Sequence, residues 1–256
     1  MTIGDGCIII TGGARRMGKA IARRLVRDGL RVIIHHRQSH PEADALVTAL
    51  GPLAVAVEQD LAADGAATTL IAAARAAFGV PVTGLVNNAS LFAYDTPPIA
   101  DGAQIDDHIH VNLTAPVLLT SAMAEQHDLA AGAVVNLLDQ KLVNLNPDFF
   151  SYTCSKLALA GATQMLAQAL GDRITVNAVA PGLTLPSLDQ TEEEFAAVAS
   201  ANLLQHPVGA DQVADAVAFL LNARGVTGQT IYVDAGQRFI PLTNDVMFST
   251  RKSLHG

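Results

Sequence analysis

Tyr152 and Lys156, in the run YTCSK, stand four residues apart and share one face if that segment is helical. Thirteen residues upstream, Asp139 follows the apolar run AVVNLL (133–138), where a strand should end. A phenol, an ammonium and a carboxylic acid gathered at one point can store and deliver a proton. A nearby cation lowers the phenol's pKa, and loss of water raises that of the carboxyl, so both move toward the working pH. Taken alone, Tyr152 and Lys156 would be an ordinary pair on a surface helix. The elements around them decide.

Short β-branched runs alternate with Ala-rich helical patterns along the whole chain. Strands are expected at 7–11, 31–35, 53–57, 84–87, 133–138, 174–180 and 230–233, and helices near 17–28, 42–50, 65–77, 104–126, 152–170 and 211–222. Runs that are apolar on both faces and joined by crossover helices imply a parallel sheet covered on both sides. With no repeat, linker or break in composition, the reading is α/β: a single doubly wound Rossmann-type domain over 1–256, with a seven-stranded parallel sheet and helices on both faces. The acidic stretch PGLTLPSLDQTEEEF (181–195) has no strand pattern and is read as a loop and helix over the site, with 181–205 as the substrate loop. The tail after Val233 is too irregular to place.

Of 256 residues, half are hydrophobic and 16% charged, which suits a buried core. Two cysteines, Cys7 and Cys154, give no disulfide framework and fit a reducing compartment. The first residues lack the pattern of a signal peptide, and no apolar run reaches membrane-spanning length, so the location is expected to be cytoplasmic with no membrane partner. A net charge of −8 argues against general nucleic-acid binding. Yet eight of the sixteen Lys and Arg lie between Arg15 and Arg37, with Asp28 as the only acid among them. A solvated helix face explains Arg23, Arg24 and Arg27. Arg15, Arg16 and Arg37 flank strand ends, where a bound anion is the sharper reading.

The turn TGGARRMGKAIA (11–22) sits at the first β-to-α junction. There Gly12 and Gly13 permit a tight turn, Gly18 permits close helix packing, and the helix N-terminus offers free N–H groups to a phosphate. At the end of the second strand an acid would accept from a ribose 2′-OH, whereas a basic residue accommodates a 2′-phosphate. The chain reads IIHHRQS (33–39), with no acid. Arg37, helped by Arg16, His36 and Ser39, points to NADPH/NADP+ over NADH. A metal site at His35 and His36 is set aside, because adjacent strand residues face opposite ways; no metal is expected.

Together these segments resemble the short-chain dehydrogenase/reductase family over nearly the whole chain: TGGARRMG, EQDL (58–61), NNAS (87–90), Asn112, YTCSK and NAVAPG (177–182), in that order. The resemblance implies a cofactor site built from Gly12, Arg15, Arg16, Met17, Gly18, His36, Arg37, Ser39, Asp60, Leu61, Asn87, Ala89, Tyr152, Lys156, Pro181 and Gly182. It implies that Tyr152 donates a proton, that Lys156 holds the nicotinamide ribose and lowers the Tyr152 pKa, and that Asn112 holds a water relaying protons to Lys156. It also implies a homotetramer formed through helices 104–126 and 152–170.

Two positions depart from the common family pattern. Arg16 stands where a further glycine is usual, and Asp139 stands where a serine usually binds a substrate carbonyl. With HHR (35–37) and NNASLF (87–92), they resemble the pteridine reductase branch, which includes bacterial dihydromonapterin reductases. In that reading Phe92 stacks on a pterin, Ser90 and Arg16 bind its polar edge, and Asp139 with Tyr152 delivers a proton to a C=N group. An ordinary carbonyl reductase that tolerates Asp139 and a non-catalytic NADPH-binding sensor stay open. The tail from Ile240 to Gly256, with Phe248, Arg251 and Lys252, would close a neighbouring subunit's pocket or hang free.

Overall fold

A computed structural model describes residues 3–186 and 190–248. Seven strands, β1 (Cys7–Ile10), β2 (Arg31–His36), β3 (Ala54–Glu58), β4 (Val82–Asn87), β5 (Gly132–Leu137), β6 (Ile174–Pro181) and β7 (Thr230–Val233), form one parallel sheet in the order β3-β2-β1-β4-β5-β6-β7. The side chains of β1 show why it is covered twice. Ile8 and Ile10 pack with α1 (Arg16–Arg27), α2 (His40–Leu50) and α8 (Ala210–Asn222), while Cys7 and Ile9 pack with α3 (Ala66–Phe78), α5 (Ala115–Ala124) and α6 (Phe150–Leu170). From the central pair β1 and β4 the strand order runs outward in both directions. The loops at their C-terminal ends therefore part and leave a crevice, the place where open α/β sheets bind ligands.

The helix expected over 104–126 is divided. α4 (Ala103–Ile109) runs into a π turn, His110–Thr114, before α5 begins. Pro116 has no N–H to give the carbonyl of Asn112, so the usual ladder cannot continue there. The expected loop and helix over the site includes α7 (Glu192–Ala199), which starts with a capping box: Thr191 Oγ1 accepts from the Glu194 N–H and the Glu194 carboxylate accepts from the Thr191 N–H. The irregular tail forms two short 3-10 turns, Gln237–Phe239 and Val246–Phe248, while Arg251 and Lys252 lie outside the described residues.

One tie between β2 and the first turn has no forewarning in the residue pattern. The buried His35 ring places Nδ1 3.1 Å from the Gly12 nitrogen and Nε2 2.9 Å from the Gln59 carbonyl oxygen. The amide can only donate and the carbonyl only accept, so the ring is neutral with its proton on Nε2. Burial, the largest cause, lowers its pKa from 6.5 to about 4. A base with a depressed folded pKa binds its proton more readily when unfolded. His35 therefore subtracts stability as pH falls from 6.5 to about 4, by roughly 3 kcal/mol in all, and adds nothing to the pH dependence above that window. Chemical unfolding measured across this range should show a shallower acid loss for His35→Gln than for the unaltered protein.

Gly18 lets α1 approach the turn. A Cβ added there would lie 2.3 Å from the Gly12 carbonyl oxygen. Gly18→Ala should destabilise the fold by about 1–3 kcal/mol, read as a melting midpoint several degrees lower.

Candidate active site

A cleft of about 780 Å³ runs over the C-terminal edge of the sheet. Gly12, Arg15, Arg16 and Met17 line it from the first turn, and His36, Arg37 and Ser39 from the end of β2. Asp60 and Leu61 enter after β3, and Ala89, Ser90 and Phe92 after β4. Asp139 follows β5, Pro181 and Gly182 follow β6, and Tyr152 and Lys156 come from α6. Of the residues expected to hold cofactor or substrate or to act in catalysis, Gly18, Asn87 and Asn112 are not in its wall. Asn87 points into the core instead, where its Nδ2 donates to Asn136 Oδ1 at 2.8 Å. The neighbouring Asn88, not Asn87, is the cleft-lining asparagine.

The turn is held from β4. Thr11 Oγ1 accepts from the Asn88 and Ala89 N–H groups, both at 2.9 Å, and Asn88 Nδ2 donates to the Thr11 and Gly12 carbonyls at 2.8 and 3.1 Å. Gly12 has φ +61, and a Cβ there would meet the Ala89 Cα at 3.1 Å, so the turn requires glycine on both counts. Arg16 has φ +51 without being glycine. That conformation costs on the order of 1–3 kcal/mol and holds the guanidinium at the cleft wall. Three buried side-chain atoms of the wall, His36 Nδ1, Gln140 Oε1 and Gln237 Nε2, have no hydrogen-bond partner among the described residues. The Gln237 amide cannot simply flip, because its Oε1 accepts from the Leu183 N–H at 2.8 Å. The cleft thus combines a glycine cradle, basic groups at one end and unsatisfied polar atoms along its floor, which fits a long polar ligand bearing phosphates.

At the other end β5 and α6 bring the opening trio together. The Tyr152 hydroxyl donates to Asp139 Oδ2 at 2.9 Å, and the Lys141 N–H donates to Asp139 Oδ1, also at 2.9 Å. Desolvation raises the Asp139 pKa, outweighing those two bonds. The Tyr152 pKa is raised as well, first by burial and then by Asp139. This reverses the lowering expected from Lys156. The Lys156 Nζ lies 5.6 Å from the Tyr152 ring centroid and donates to the Leu137 carbonyl at 2.8 Å, so Asp139 is the charge nearer the hydroxyl. Burial lowers the Lys156 pKa to about 8, which leaves it mostly cationic at neutral pH.

Asn112 is fully buried, and its amide is saturated. Oδ1 accepts from Leu91 N–H and Ser90 Oγ, while Nδ2 donates to the Leu91 carbonyl and Ser155 Oγ. The side chain thus has no valence left for the expected water. Phe92 stacks on Phe149 with centroids 4.3 Å apart and meets the Tyr152 ring edge-on at 4.7 Å. Phe149 carries no motif that marks it in the sequence, although it is fully buried at φ +53 immediately before α6. The same holds for Gln237 and for Lys141, whose only signal is a lysine set beside an apolar pair in KLV.

A family model described as short chain dehydrogenase matches residues 6–197. A dihydromonapterin reductase of Citrobacter koseri is 30% identical over 236 residues, 90% of this chain and 95% of its own length. An uncharacterized oxidoreductase of Methylorubrum extorquens is 32% identical over 241 residues, again 90% of this chain, and 96% of its own. Among solved structures, FolM alternative dihydrofolate reductase 1 from Brucella suis, in complex with NADP, superposes with a TM-score of 0.89 at 40% identity, covering 93% of this chain and 97% of that one. With a seven-stranded parallel sheet, a glycine turn after β1 and Tyr152 and Lys156 on α6, the chain belongs to the short chain dehydrogenase family.

Proposed function

We propose that this protein is an NADPH-dependent reductase of the C=N bond of a dihydropterin, of the dihydromonapterin, dihydrobiopterin or dihydrofolate type. The observation that carries the reading is the 2.9 Å contact between the Tyr152 hydroxyl and a half-buried, cleft-lining Asp139 carboxyl whose pKa desolvation raises. The names of the relatives from Citrobacter koseri and Brucella suis support it, as does the NADP held by the latter. Arg37, His36 and Ser39 would hold the 2′-phosphate, with Arg15 and Arg16 near it and the pyrophosphate. Asp60 and Leu61 would border the adenine, and Lys156 the nicotinamide ribose. Bound there, the cofactor supplies a hydride.

The chain's own residues then manage the proton. When the carbon of a C=N bond gains a hydride, its nitrogen must gain a proton, and Asp139 would supply it, since desolvation favours its neutral form. Asp139 and Tyr152 pass that proton across their shared contact to the ring nitrogen and are recharged from solvent. The Asn112 carbonyl, which Pro116 cannot satisfy, is the remaining place on that residue for a relay water toward Lys156. Arg16 and Ser90 would bind the pterin's polar edge, with Phe92 along its plane. A homo-oligomer, a tetramer by family habit, has the exposed Leu118, Leu157 and Met165 on α5 and α6 to bury. A cytoplasmic setting fits, and among the described residues no helix is long and apolar enough to cross a membrane.

Asp139→Asn keeps the shape and removes the acid. It should lower kcat on a dihydropterin roughly 10²–10⁴-fold while leaving NADPH affinity within a factor of about two. In the unaltered enzyme kcat should fall as pH rises through the raised Asp139 pKa, and the variant should lose that limb. A dihydropterin kcat unaffected by the substitution would refute the role of Asp139. Arg16→Gly relieves a left-handed backbone and removes a cation. Its melting midpoint should hold or rise, while its NADPH dissociation constant, measured by titration, weakens about tenfold or more.

A further inference from the structure

Lys141 is 4% exposed, and a lysine is almost never that deeply buried without partners. Its Nζ donates to the Asp148 carbonyl and to Asp245 Oδ2, the latter at 3.2 Å, and stands 5.5 Å from the centre of the Phe149 ring. Asp148 is itself buried, accepting from the Tyr94 hydroxyl at 3.2 Å and from the Asp245 N–H at 2.7 Å. Beyond Asp245, Val246 is buried, and the Phe248 ring lies parallel to Phe149 at 6.0 Å and edge-on to Tyr94 at 5.5 Å. Asn144 Nδ2 reaches the same segment at the Ile240 carbonyl, 2.6 Å away.

These contacts converge on the loop that carries the chemistry. The backbone N–H of Lys141 holds Asp139 Oδ1, and Phe149 precedes α6, the helix of Tyr152. Lys141, Asp245, Val246 and Phe149 all face the cleft beside Asp139. We infer that Lys141 is a positioning residue for the proposed pterin reduction, on which this inference rests: its buried ammonium clamps the chain's own segment 240–248 onto the loop 139–149 and so builds the outer wall of the substrate end of the cleft. Without the ammonium, the Asp148 carbonyl and the Asp245 carboxylate lose the donor that joins them, the wall lifts, and the turn that orients Asp139 loosens with it. The dinucleotide end, built from β1, β2 and β3, shares none of these contacts.

The clamp also bears on the proton. The groups facing Asp139 are Tyr152, Lys141, Lys156 and Asp245, of which Lys141 favours the anion and Asp245 opposes it. Replacing one partner or the other should therefore move the pH limb of kcat in opposite directions, which a general loss of structure would not do.

The test uses the full chain and three variants, Lys141→Met, Asp245→Asn and the pair combined. Lys141→Met should speed amide hydrogen exchange in 240–248 and 139–143 about tenfold and raise the KM for dihydromonapterin by a similar factor, with the KM for NADPH within about twofold. The falling limb of kcat should move to higher pH in Lys141→Met and to lower pH in Asp245→Asn, and the double variant should return it toward the unaltered position. If Lys141→Met alone does not fold, the double variant, which removes the Asp245 charge together with its partner, carries the exchange measurement. Unchanged exchange in 240–248 with an unchanged pterin KM overturns the clamp. Exchange that responds as stated, in a protein whose unaltered form turns over no dihydropterin, upholds the clamp and sinks the pterin reading.

Discussion

A half-buried carboxyl bonded to a buried phenol is the constraint on which the rest of the site depends. Asp139 and Tyr152 meet at 2.9 Å, and burial makes each of them reluctant to ionise. Such a pair is costly to bury, so both of its ends must be fixed. Asp139 is fixed because β5 ends beneath it and the following turn returns a backbone N–H to its second oxygen. Tyr152 is fixed because α6 begins at Phe150, directly after a strained Phe149 whose ring is fully buried. The strain at Phe149 is offset by the aromatic stack it completes with Phe92, Tyr94 and Phe248.

The opposite end of the cleft solves another problem with the same economy. A glycine turn at the start of α1 must hold one shape although its own residues are the most permissive in the chain. Thr11, Asn88 and His35 supply that rigidity from behind, by side-chain hydrogen bonds to the backbone. Arg16 then occupies a conformation that glycine would take more easily. A basic residue thus stands in the cleft wall against its own backbone preference.

The sheet is legible in the sequence because each β-branched run is apolar on both faces and too short for a helix, and all seven such runs are strands. The cleft wall is legible where residue type states its use, as with Gly12, Arg37, Asp139 and Tyr152. What escapes depends on contacts between distant segments. The break at His110–Thr114 follows from Pro116 together with the bonds Asn112 makes to Leu91 and Ser155, which no local periodicity encodes. Spacing on a helix puts Lys156 on the face of the phenol, and the family resemblance implies a lowered Tyr152 pKa. Only the fold shows that Asp139 is nearer the hydroxyl and that the shift runs upward. His35 and Lys141 read as ordinary polar residues until the strands and the C-terminal segment enclose them.

The most direct measurement is cofactor consumption, followed by nicotinamide absorbance, with purified protein and NADPH against dihydromonapterin, dihydrobiopterin and a panel of simple ketones. Proton delivery from Asp139, as proposed, predicts turnover of the dihydropterins with little or none of the ketones. Turnover confined to the ketones would leave the fold, the family and the Tyr152–Lys156 arrangement standing and would contradict the role of Asp139 as the acid that serves a ring nitrogen.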